Sequence, residues 1–225
     1  MTQNASFDPR SVPVTQVDTH LAAPDAARLR ADALLHRFAA RRARAPELAV
    51  LTEAAPGRAL VPAAVLVPVV QRNEPTVLLT QRTQHLSSHS GQIAFPGGKS
   101  DAQDADAEAT ALREAYEEVG LAPAHVQVLG RLPQFPIGTG YLVTPVVALV
   151  RPDFELQVNT MEVEAVFEVP LAYLMDPANH RHHATFWQGR VRNWISIPYH
   201  DGTREWYIWG ATAGMLRVLY EVLVE

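Results

Sequence analysis

The sequence contains no cysteine. Disulfide bonds, thiolate metal sites and a cysteine nucleophile are therefore all excluded. The chain also lacks an apolar run of the ~18 residues that a membrane-spanning helix needs. Its first residues, 1–14, show no basic stretch followed by an apolar one, as a secretory signal would. We therefore expect no membrane partner and a soluble, cytoplasmic protein.

An excess of positive charge is missing as well. The chain has 19 lysine and arginine residues against 24 aspartate and glutamate residues, which gives a formal net charge of -5. Because nothing indicates a basic surface for a polyanion, we do not expect nucleic acid as a partner. A small phosphorylated molecule stays compatible with this charge, since a few well-placed cations are enough to bind it.

The apolar content is sufficient for one core, since 48% of the 225 residues are hydrophobic. Residues 1–23 are polar and interrupted by prolines, so we expect a flexible N-terminal arm. Residues 24–58 are predicted to form a helical extension, because they carry alanine, arginine and periodic apolar side chains. The basic end of this helix contacts an anion or partner, or stays solvated, and we favour solvation. Residues 59–225 are expected to form the main domain.

The main domain opens with two apolar segments, 63–70 and 76–80, which flank a polar turn and predict a β-hairpin. The loop 135–141 either closes over a ligand or turns a corner at the sheet edge, and we favour the corner. The remaining predicted elements are strands at 126–132, 143–150 and 206–209 and a final helix from Gly210 with Leu216, Leu219, Tyr220 and Leu223 on its packed face.

Two groups of side chains near the end of the chain allow more than one interpretation. The imidazoles of His180, His182 and His183 are spaced closely enough to chelate a metal, but they follow a turn-like segment, so we favour a solvated loop. The tryptophans in 206–209 either stack on an adenine or pack in the core or at a subunit interface, and we favour packing. A homodimer is the assembly that we consider.

One helix is expected to collect negative charge. Glu114, Glu117 and Glu118 stand at i, i+3 and i+4, which places them on one face of a helix through 113–121. The packed face is expected to carry Leu112, Ala115 and Val119. An isolated acidic face is usually only solvated. A carboxylate cluster this dense also suits a hard divalent cation, Mg²⁺ or Mn²⁺, better than Zn²⁺.

The neighbourhood of this helix favours the metal interpretation. Gly98, Arg113-Glu114, Glu117-Glu118 and Gly120-Leu121 together resemble the Nudix box of hydrolases that cleave diphosphates linked to another moiety. The match has one departure, because Ala105 stands where the box takes a glutamate and Gly98 lies one residue too far away. We interpret this as a one-residue insertion in the loop. Asp104 or Glu108 is expected to supply the interaction at the helix start, and the alternative is a weakened site.

A second motif precedes the box. The segments 78–82, 89–98 and 99–104 resemble the coenzyme A pyrophosphatase branch of the Nudix superfamily, as does 209–213. Thr83 and Ser87 depart from that motif, and Ser87 removes a cation that the branch uses near the substrate phosphate. The resemblance implies an α/β fold, a Nudix-type α/β/α sandwich with a mixed β-sheet, in which 59–225 is the Nudix hydrolase domain.

The resemblance also implies roles for named residues. Glu114, Glu117 and Glu118 are the expected ligands of Mg²⁺ or Mn²⁺, and Glu114 and Glu117 are expected to be catalytic. Glu162 is a candidate general base or additional ligand, with an exposed acid at the start of a strand as the alternative. Arg113 lies four residues before Glu117 and is expected to support that carboxylate by an ion pair. The expected substrate-binding residues are Arg82, His89, Gly97 and Gly98.

The function that follows is divalent-metal-dependent hydrolysis of the diphosphate of coenzyme A or an acyl derivative, which yields 4'-phosphopantetheine and adenosine 3',5'-bisphosphate. The residues themselves indicate diphosphate chemistry. The coenzyme A part comes from the resemblance. Two alternatives stay open: a Nudix hydrolase of another substrate, such as ADP-ribose or a nucleoside triphosphate, and a Nudix-like binding module without turnover.

Overall fold

The structure is a computed structural model, and it describes residues 7–42, 59–84, 91–187 and 189–225. The strands and α-helices, numbered in chain order, are β1 (Val14–Val17), α1 (Ala31–Arg42), β2 (Val61–Val70), β3 (Thr76–Arg82), β4 (Ile93–Ala94), β5 (Gly97–Lys99), α2 (Ala107–Val119), β6 (Val126–Arg131), β7 (Phe135–Ile137), β8 (Tyr141–Val150), β9 (Val163–Pro170), α3 (Leu171–Leu174), β10 (Arg181–Trp187), β11 (Arg190–His200), β12 (Glu205–Trp209) and α4 (Gly210–Val224).

The centre of the molecule is a mixed sheet built around β2 and β8. These two strands run parallel, with Val61 opposite Tyr141 at one end and Val70 opposite Val150 at the other. Both are almost continuously apolar, as expected for strands that are covered on both faces. Strands β3 and β5 pair antiparallel with β2, β6 and β7 pair antiparallel with β8, and β4 and β9 pair antiparallel with β3. The mixed sheet is therefore confirmed.

Helices cover both faces of this sheet. Because side chains alternate along β2, Ala64 and Leu66 face α2, where Ala111 and Ala115 are fully buried. The opposite face carries Val67 and Leu79, which belong to the second core together with Phe38 of α1 and Leu216 of α4. The sheet between α2 on one side and α1 with α4 on the other confirms the expected α/β/α sandwich.

The acidic helix α2 begins and ends with well-defined caps. The side chain of Asp106 accepts hydrogen bonds from the backbone N–H groups of Glu108 and Ala109, both at 2.9 Å. At the other end Gly120 adopts φ 74°, a left-handed conformation that glycine reaches without steric cost. Asp104 and Glu108, the acids expected to act at the helix start, do not supply this cap, although Glu108 lies in the first turn. Asp106 does so, because it is the residue directly before the first helical position.

The hairpin and corner predictions hold. Strands β2 and β3 pair antiparallel across the polar turn. The segment 135–141 forms β7 and the start of β8, which fold back on each other with Ile137 opposite Tyr141. This is the corner at the sheet edge that the sequence favours. Helix α4 also forms as predicted, and its four expected packing residues are all buried.

A second, four-stranded antiparallel sheet, in the order β1, β10, β11, β12, packs beside the central one. The sequence predicted only β12. The solvated loop expected around the histidines is wrong: His180 and His183 are 0% and 4% exposed. The Nε2 atom of His180 lies 2.8 Å from the carbonyl oxygen of Leu174, and His183 Nε2 lies 2.8 Å from Ser196 Oγ. These partners replace water at both Nε2 atoms, whereas His180 Nδ1 is buried without a hydrogen-bond partner among the described residues.

The N-terminal segments contact this second sheet and α4. Strand β1 lies within the expected arm, 1–23, and pairs with β10. Just after it, Asp18 is 2% exposed and contacts His182 and Arg217. Residues 1–6 and 43–58 lie outside the described residues, so the division into arm, helical extension and main domain stays a prediction. Among the described residues no helix is long and apolar enough to cross a membrane.

Arginines from the N-terminal region cover the end of α4. Arg37 Nη1 donates to the carbonyl oxygen of Val222 at 3.1 Å, and Arg28 Nη1 donates to that of Val224 at 3.2 Å. The guanidinium of Arg41 reaches the same end of the helix. Cations satisfy and stabilise the free carbonyls at a helix C-terminus. The solvated interpretation of the basic end of α1 is therefore wrong for Arg37, because its side chain caps a second helix.

Candidate active site

The acidic residues of α2 meet the backbone of β5 at close range. A Cβ atom added to Gly98 would lie 2.5 Å from Glu114 Oε2, and one added to Gly97 would lie 2.5 Å from the carbonyl oxygen of Ala64. The contact at Gly97 is with backbone and cannot be relieved, whereas the contact at Gly98 could be relieved only by moving the Glu114 carboxylate. The backbone N–H of Gly97 donates to Glu118 Oε2 at 3.1 Å. The double glycine thus brings two carboxylates of α2 against the sheet.

Glu118 is the most deeply buried carboxylate of the cluster, with 2% of the residue exposed. The expectation that all three glutamates lie on a separate charged face is wrong for this residue. Ala111, Ala115 and Glu118 follow i, i+4 and i+7, which is the same packed stripe of the helix. Burial raises the pKa of Glu118 to about 7, against the opposing effects of the Gly97 N–H and Arg82 and with added repulsion from Glu114 and Glu162.

Two further carboxylates stand close enough to influence this group. Burial raises the pKa of Glu114, and the charges of Glu117 and Glu162 add to the rise while Arg113 opposes it. Glu162 lies directly before β9, where its side chain accepts a hydrogen bond from Asn159 Nδ2 at 3.2 Å. The structure therefore brings Glu162 to the α2 carboxylates, as its candidate role requires.

Arg113 connects the carboxylates to the preceding loop. Its Nη1 donates to Glu114 Oε1 at 2.9 Å and to Glu117 Oε2 at 3.1 Å, so the expected ion pair with Glu117 is present. Its Nε and Nη2 donate to the two carboxylate oxygens of Asp104 at 2.9 and 2.8 Å. These contacts raise the pKa of Arg113 and hold that of Asp104 well below its usual range. A planar guanidinium held by several acceptors fixes their relative positions.

Asp104 therefore has a role that the sequence argument did not assign to it. It does not cap the helix but pairs with Arg113 and accepts a hydrogen bond from Thr110 Oγ1 at 2.9 Å. The sequence contains one signal for this role. Asp104 is the acid that lies at the distance from Gly98 that separates the glycine of the Nudix box from its first glutamate. The inserted residue shifts Ala105 to an exposed position.

The structure describes three of the four residues expected to bind the substrate. Arg82 Nη1 lies 3.3 Å from Glu118 Oε1, so its guanidinium faces the acidic cluster. Gly97 and Gly98 lie against the carboxylates, as described above. His89 and Ser87 lie outside the described residues. The catalytic, metal-binding and substrate-binding roles of these residues, and of Glu114, Glu117, Glu118 and Glu162, stay predictions.

The donors available to the expected Mg²⁺ or Mn²⁺ are the carboxylates of the acidic cluster. Within the described parts of the chain no three carboxylate or imidazole side chains are arranged, as they stand, to hold a metal ion. Glu117 is turned toward Arg113 and is 55% exposed at its side chain, so a rotation would free it. The chemistry fits a hard cation, because all donors are oxygens; burial first, and then the charges of neighbouring glutamates, raise the pKa values of Glu114 and Glu118.

Comparison with known proteins agrees with this arrangement. The model of the NUDIX domain family matches residues 60–188. The "Uncharacterized Nudix hydrolase NudL" of Escherichia coli (strain K12) is 46% identical over 158 residues, which cover 70% of this chain and 80% of that protein. The protein of the same description from Shigella boydii serotype 18 is 45% identical over 158 residues, with the same two coverages.

Solved structures of the same kind are similar at lower identity. A MutT/nudix family protein from Enterococcus faecalis is 17% identical with a TM-score of 0.45, covering 88% of this chain and 73% of its own. The binary complex of the C. elegans Ap4A hydrolase is 20% identical with a TM-score of 0.43, covering 48% and 80%. With a family model that matches more than half of the chain and relatives at 46% identity, the chain belongs to the NUDIX domain family and is a Nudix hydrolase.

Proposed function

We propose that this Nudix hydrolase cleaves the diphosphate of coenzyme A or acyl-coenzyme A into 4'-phosphopantetheine and adenosine 3',5'-bisphosphate, with Mg²⁺ or Mn²⁺ bound. The observation that carries the diphosphate chemistry is the convergence of Glu114, Glu117, Glu118 and Glu162 beside the double glycine of β5. A diphosphate and a carboxylate cluster repel each other, so the two can meet only with cations between them.

Glu114, Glu117 and Glu118 would hold the divalent cation. A bound Mg²⁺ or Mn²⁺ would neutralise the diphosphate oxygens and lower the pKa of a coordinated water. The chain itself positions these carboxylates. The Gly97 N–H and Arg82 orient Glu118, and Arg113 links Glu114 and Glu117 to the loop. Such orientation of ligand groups is commonly needed for metal affinity and activity.

Glu162 would accept a proton from the attacking water or add a further ligand. Its position supports either role, because its charge acts on both Glu114 and Glu118. Asn159 fixes its side chain through a hydrogen bond of 3.2 Å. A general base needs a held orientation as well as a suitable pKa.

The resemblance of 78–82, 89–98 and 99–104 to the coenzyme A pyrophosphatase branch supports the choice of substrate. In the fold these segments supply Arg82 and the double glycine, which contact Glu118, and Asp104, which is joined to the cluster through Arg113. Proximity of the motif to the carboxylates supports a role in binding the substrate phosphate. Hydrolysis of another nucleoside diphosphate derivative is the second candidate, since the carboxylate cluster by itself requires only a diphosphate. Residence in the cytoplasm and a homodimer stay predictions.

The test is chromatographic product analysis of the purified chain with coenzyme A, ADP-ribose and dGTP, each with Mg²⁺ or Mn²⁺. We expect 4'-phosphopantetheine and adenosine 3',5'-bisphosphate from coenzyme A, and a loss of at least ~100-fold in kcat for Glu117→Gln. Glu155→Gln is the matched control, because Glu155 is an exposed glutamate outside the cluster.

The three substrates separate the alternatives. Cleavage of ADP-ribose or dGTP with coenzyme A left intact would refute the proposed substrate and keep the diphosphate chemistry. Binding of coenzyme A without any product would support the binding-module alternative instead. Equal activity of Glu117→Gln and Glu155→Gln would show that the cluster on α2 is not the reacting site.

A further inference from the structure

A cavity of about 340 Å³ opens on the side of β3 away from the acidic cluster. It lies between β4 and the edge strand β12 of the second sheet, and we call it the β12 cavity. Side chains of Gln81, Arg204, Trp206, Trp209, Arg10 and Phe7 line it. Its volume falls within the range of pockets for small molecules. Cations and aromatic rings together form the chemistry that binds phosphorylated aromatic compounds.

Arg204 is held in the β12 cavity by a ring and an amide. Its guanidinium carbon lies 3.3 Å from the centre of the Trp206 ring, which is itself stacked on Phe167 at 3.6 Å between ring centres. Its Nη2 donates to Gln81 Oε1 at 3.2 Å. Within the described part of the chain no carboxylate lies within ion-pair distance of this guanidinium. An arginine held flat in this way, with donors unused, is prepared for an anion.

The other charges of the cavity largely offset one another. Arg10 lies over the Tyr207 ring, at 5.1 Å from its centre, on the face of β12 that also carries Glu205. Asp8 lines the same side, where its carboxylate accepts from the backbone N–H of Arg10 at 2.9 Å. Arg204 and Trp206 occupy the opposite face of the strand. The charges of Asp8, Arg10, Arg204 and Glu205 therefore sum to zero, and Arg204 is the cation on the face of β12 that does not carry Glu205.

Strand β3 connects this cavity to the acidic cluster. Arg82 points to Glu118, whereas the preceding residue, Gln81, points into the β12 cavity. Gln81 Nε2 donates to the carbonyl oxygen of Gly91 at 3.4 Å, which orients its Oε1 toward Arg204. Gly91 belongs to the second sequence motif, so one residue of that motif is tied to the cavity and not to the metal-binding carboxylates.

We infer that the β12 cavity binds the phosphorylated nucleotide half of the substrate, with Arg204 contacting the phosphate that is not hydrolysed. This inference rests on the proposed function, in which one product is adenosine 3',5'-bisphosphate. The pantetheine half does not match the aromatic and cationic lining of the cavity, because its chain is neither aromatic nor charged beyond the diphosphate. Phe7 and Trp209, whose ring centres lie 6.4 Å apart, line the cavity on the face of β12 that carries Tyr207, and an aromatic ring of the ligand would pack there.

The inference is tested by calorimetric titration of adenosine 3',5'-bisphosphate and AMP into the full chain with EDTA present, so that neither metal nor turnover contributes. We expect the bisphosphate to bind more tightly than AMP, and Arg204→Gln to weaken its binding about 10-fold or more. Arg151→Gln is the control, because Arg151 is a half-exposed arginine that pairs with Asp153 away from the cavity. With coenzyme A and Mg²⁺, Arg204→Gln should raise KM about 10-fold and leave kcat within about threefold.

A second variant keeps the test valid if Arg204→Gln does not fold. Gln81→Ala removes the acceptor that orients Arg204 without touching the Trp206 stack, and it should weaken bisphosphate binding several-fold. Equal bisphosphate affinity in the wild type and in both cavity variants would overturn the inference, as would unmeasurable binding to the wild type. A chain that binds the bisphosphate through Arg204 but leaves coenzyme A intact would refute the proposed function alone. Cleavage of coenzyme A with unaltered KM in Arg204→Gln would refute the β12 cavity alone.

Discussion

Removing the charge of Glu118 should stabilise the metal-free protein. The buried carboxyl has its pKa raised from 4.5 to about 7, which makes its ionised form about 3 kcal/mol less favourable in the folded chain. Glu118→Gln keeps the shape of the neutral side chain and removes this cost. The variant loses the hydrogen bond from Arg82, which costs about 1 kcal/mol. We therefore expect a net gain of about 2 kcal/mol at pH 8.

The sign of the pH dependence follows from proton binding. Between the ordinary pKa of 4.5 and the folded value of about 7, the folded wild type binds more protons at Glu118 than the unfolded chain does. Stability from this group is therefore fully present below about pH 4.5 and is lost as the pH rises through about 7. The variant has no such loss. The difference between the two proteins should grow by about 3 kcal/mol from pH 4.5 to pH 8.

The assay is urea unfolding followed by tryptophan fluorescence, at a series of pH values with EDTA present. Added Mg²⁺ should stabilise the wild type more than Glu118→Gln, because a bound cation contributes only through its affinity for the folded state. Glu155→Gln serves again as the control and should show no pH-dependent difference. A stability difference between Glu118→Gln and wild type that stays constant from pH 4.5 to pH 8 would refute the reasoning.

Two further substitutions, each with a control, test the site and the packing of the fold independently. Gly98→Ala places a methyl group 2.5 Å from the Glu114 carboxylate. It should lower kcat at least ~10-fold with little loss of stability. Gly138→Ala is the control, because a Cβ atom there has no atom within 4 Å, and it should leave kcat and stability unchanged. Equal activity of the two alanine variants would contradict this account. Phe38→Ala should cost about 3–4 kcal/mol in urea unfolding, because this α1 side chain is 1% exposed, and Leu35→Ala, at 37% exposed, should cost below about 1 kcal/mol. Similar losses in both would show that α1 does not pack as described.

The sequence predicts the central sandwich because its signals are strong there. Strands β2 and β8 are apolar along their whole length, and α2 has a clear cap at Asp106 and a terminating Gly120. The second sheet escapes prediction because β10 and β11 mix histidine, arginine and tryptophan without a regular alternation. Buried His183 lies between Ser196 on the adjacent strand and the carbonyl oxygen of Val12, 171 residues away, and no local pattern contains that information.

The candidate site shows the same limit. Helical spacing brings Glu114, Glu117 and Glu118 together but does not reveal how far the packed stripe extends around α2, so the burial of Glu118 was missed. The additional partner of Arg113, Asp104, was missed because it lies in a loop whose path is set by tertiary contacts. Arg204 carries no sequence signal at all, since an arginine after a turn usually remains in solvent.

The arginine contacts at the end of α4 join parts of the chain that are far apart in sequence. Arg28 and Arg37 bind the carbonyl groups of Val224 and Val222, across separations of 196 and 185 residues. During synthesis, the N-terminal helix must therefore wait for almost the whole chain to leave the ribosome before it can complete these bonds. Contacts at such sequence separations slow folding, because the entropy of closing a long loop is lost before the contacts form.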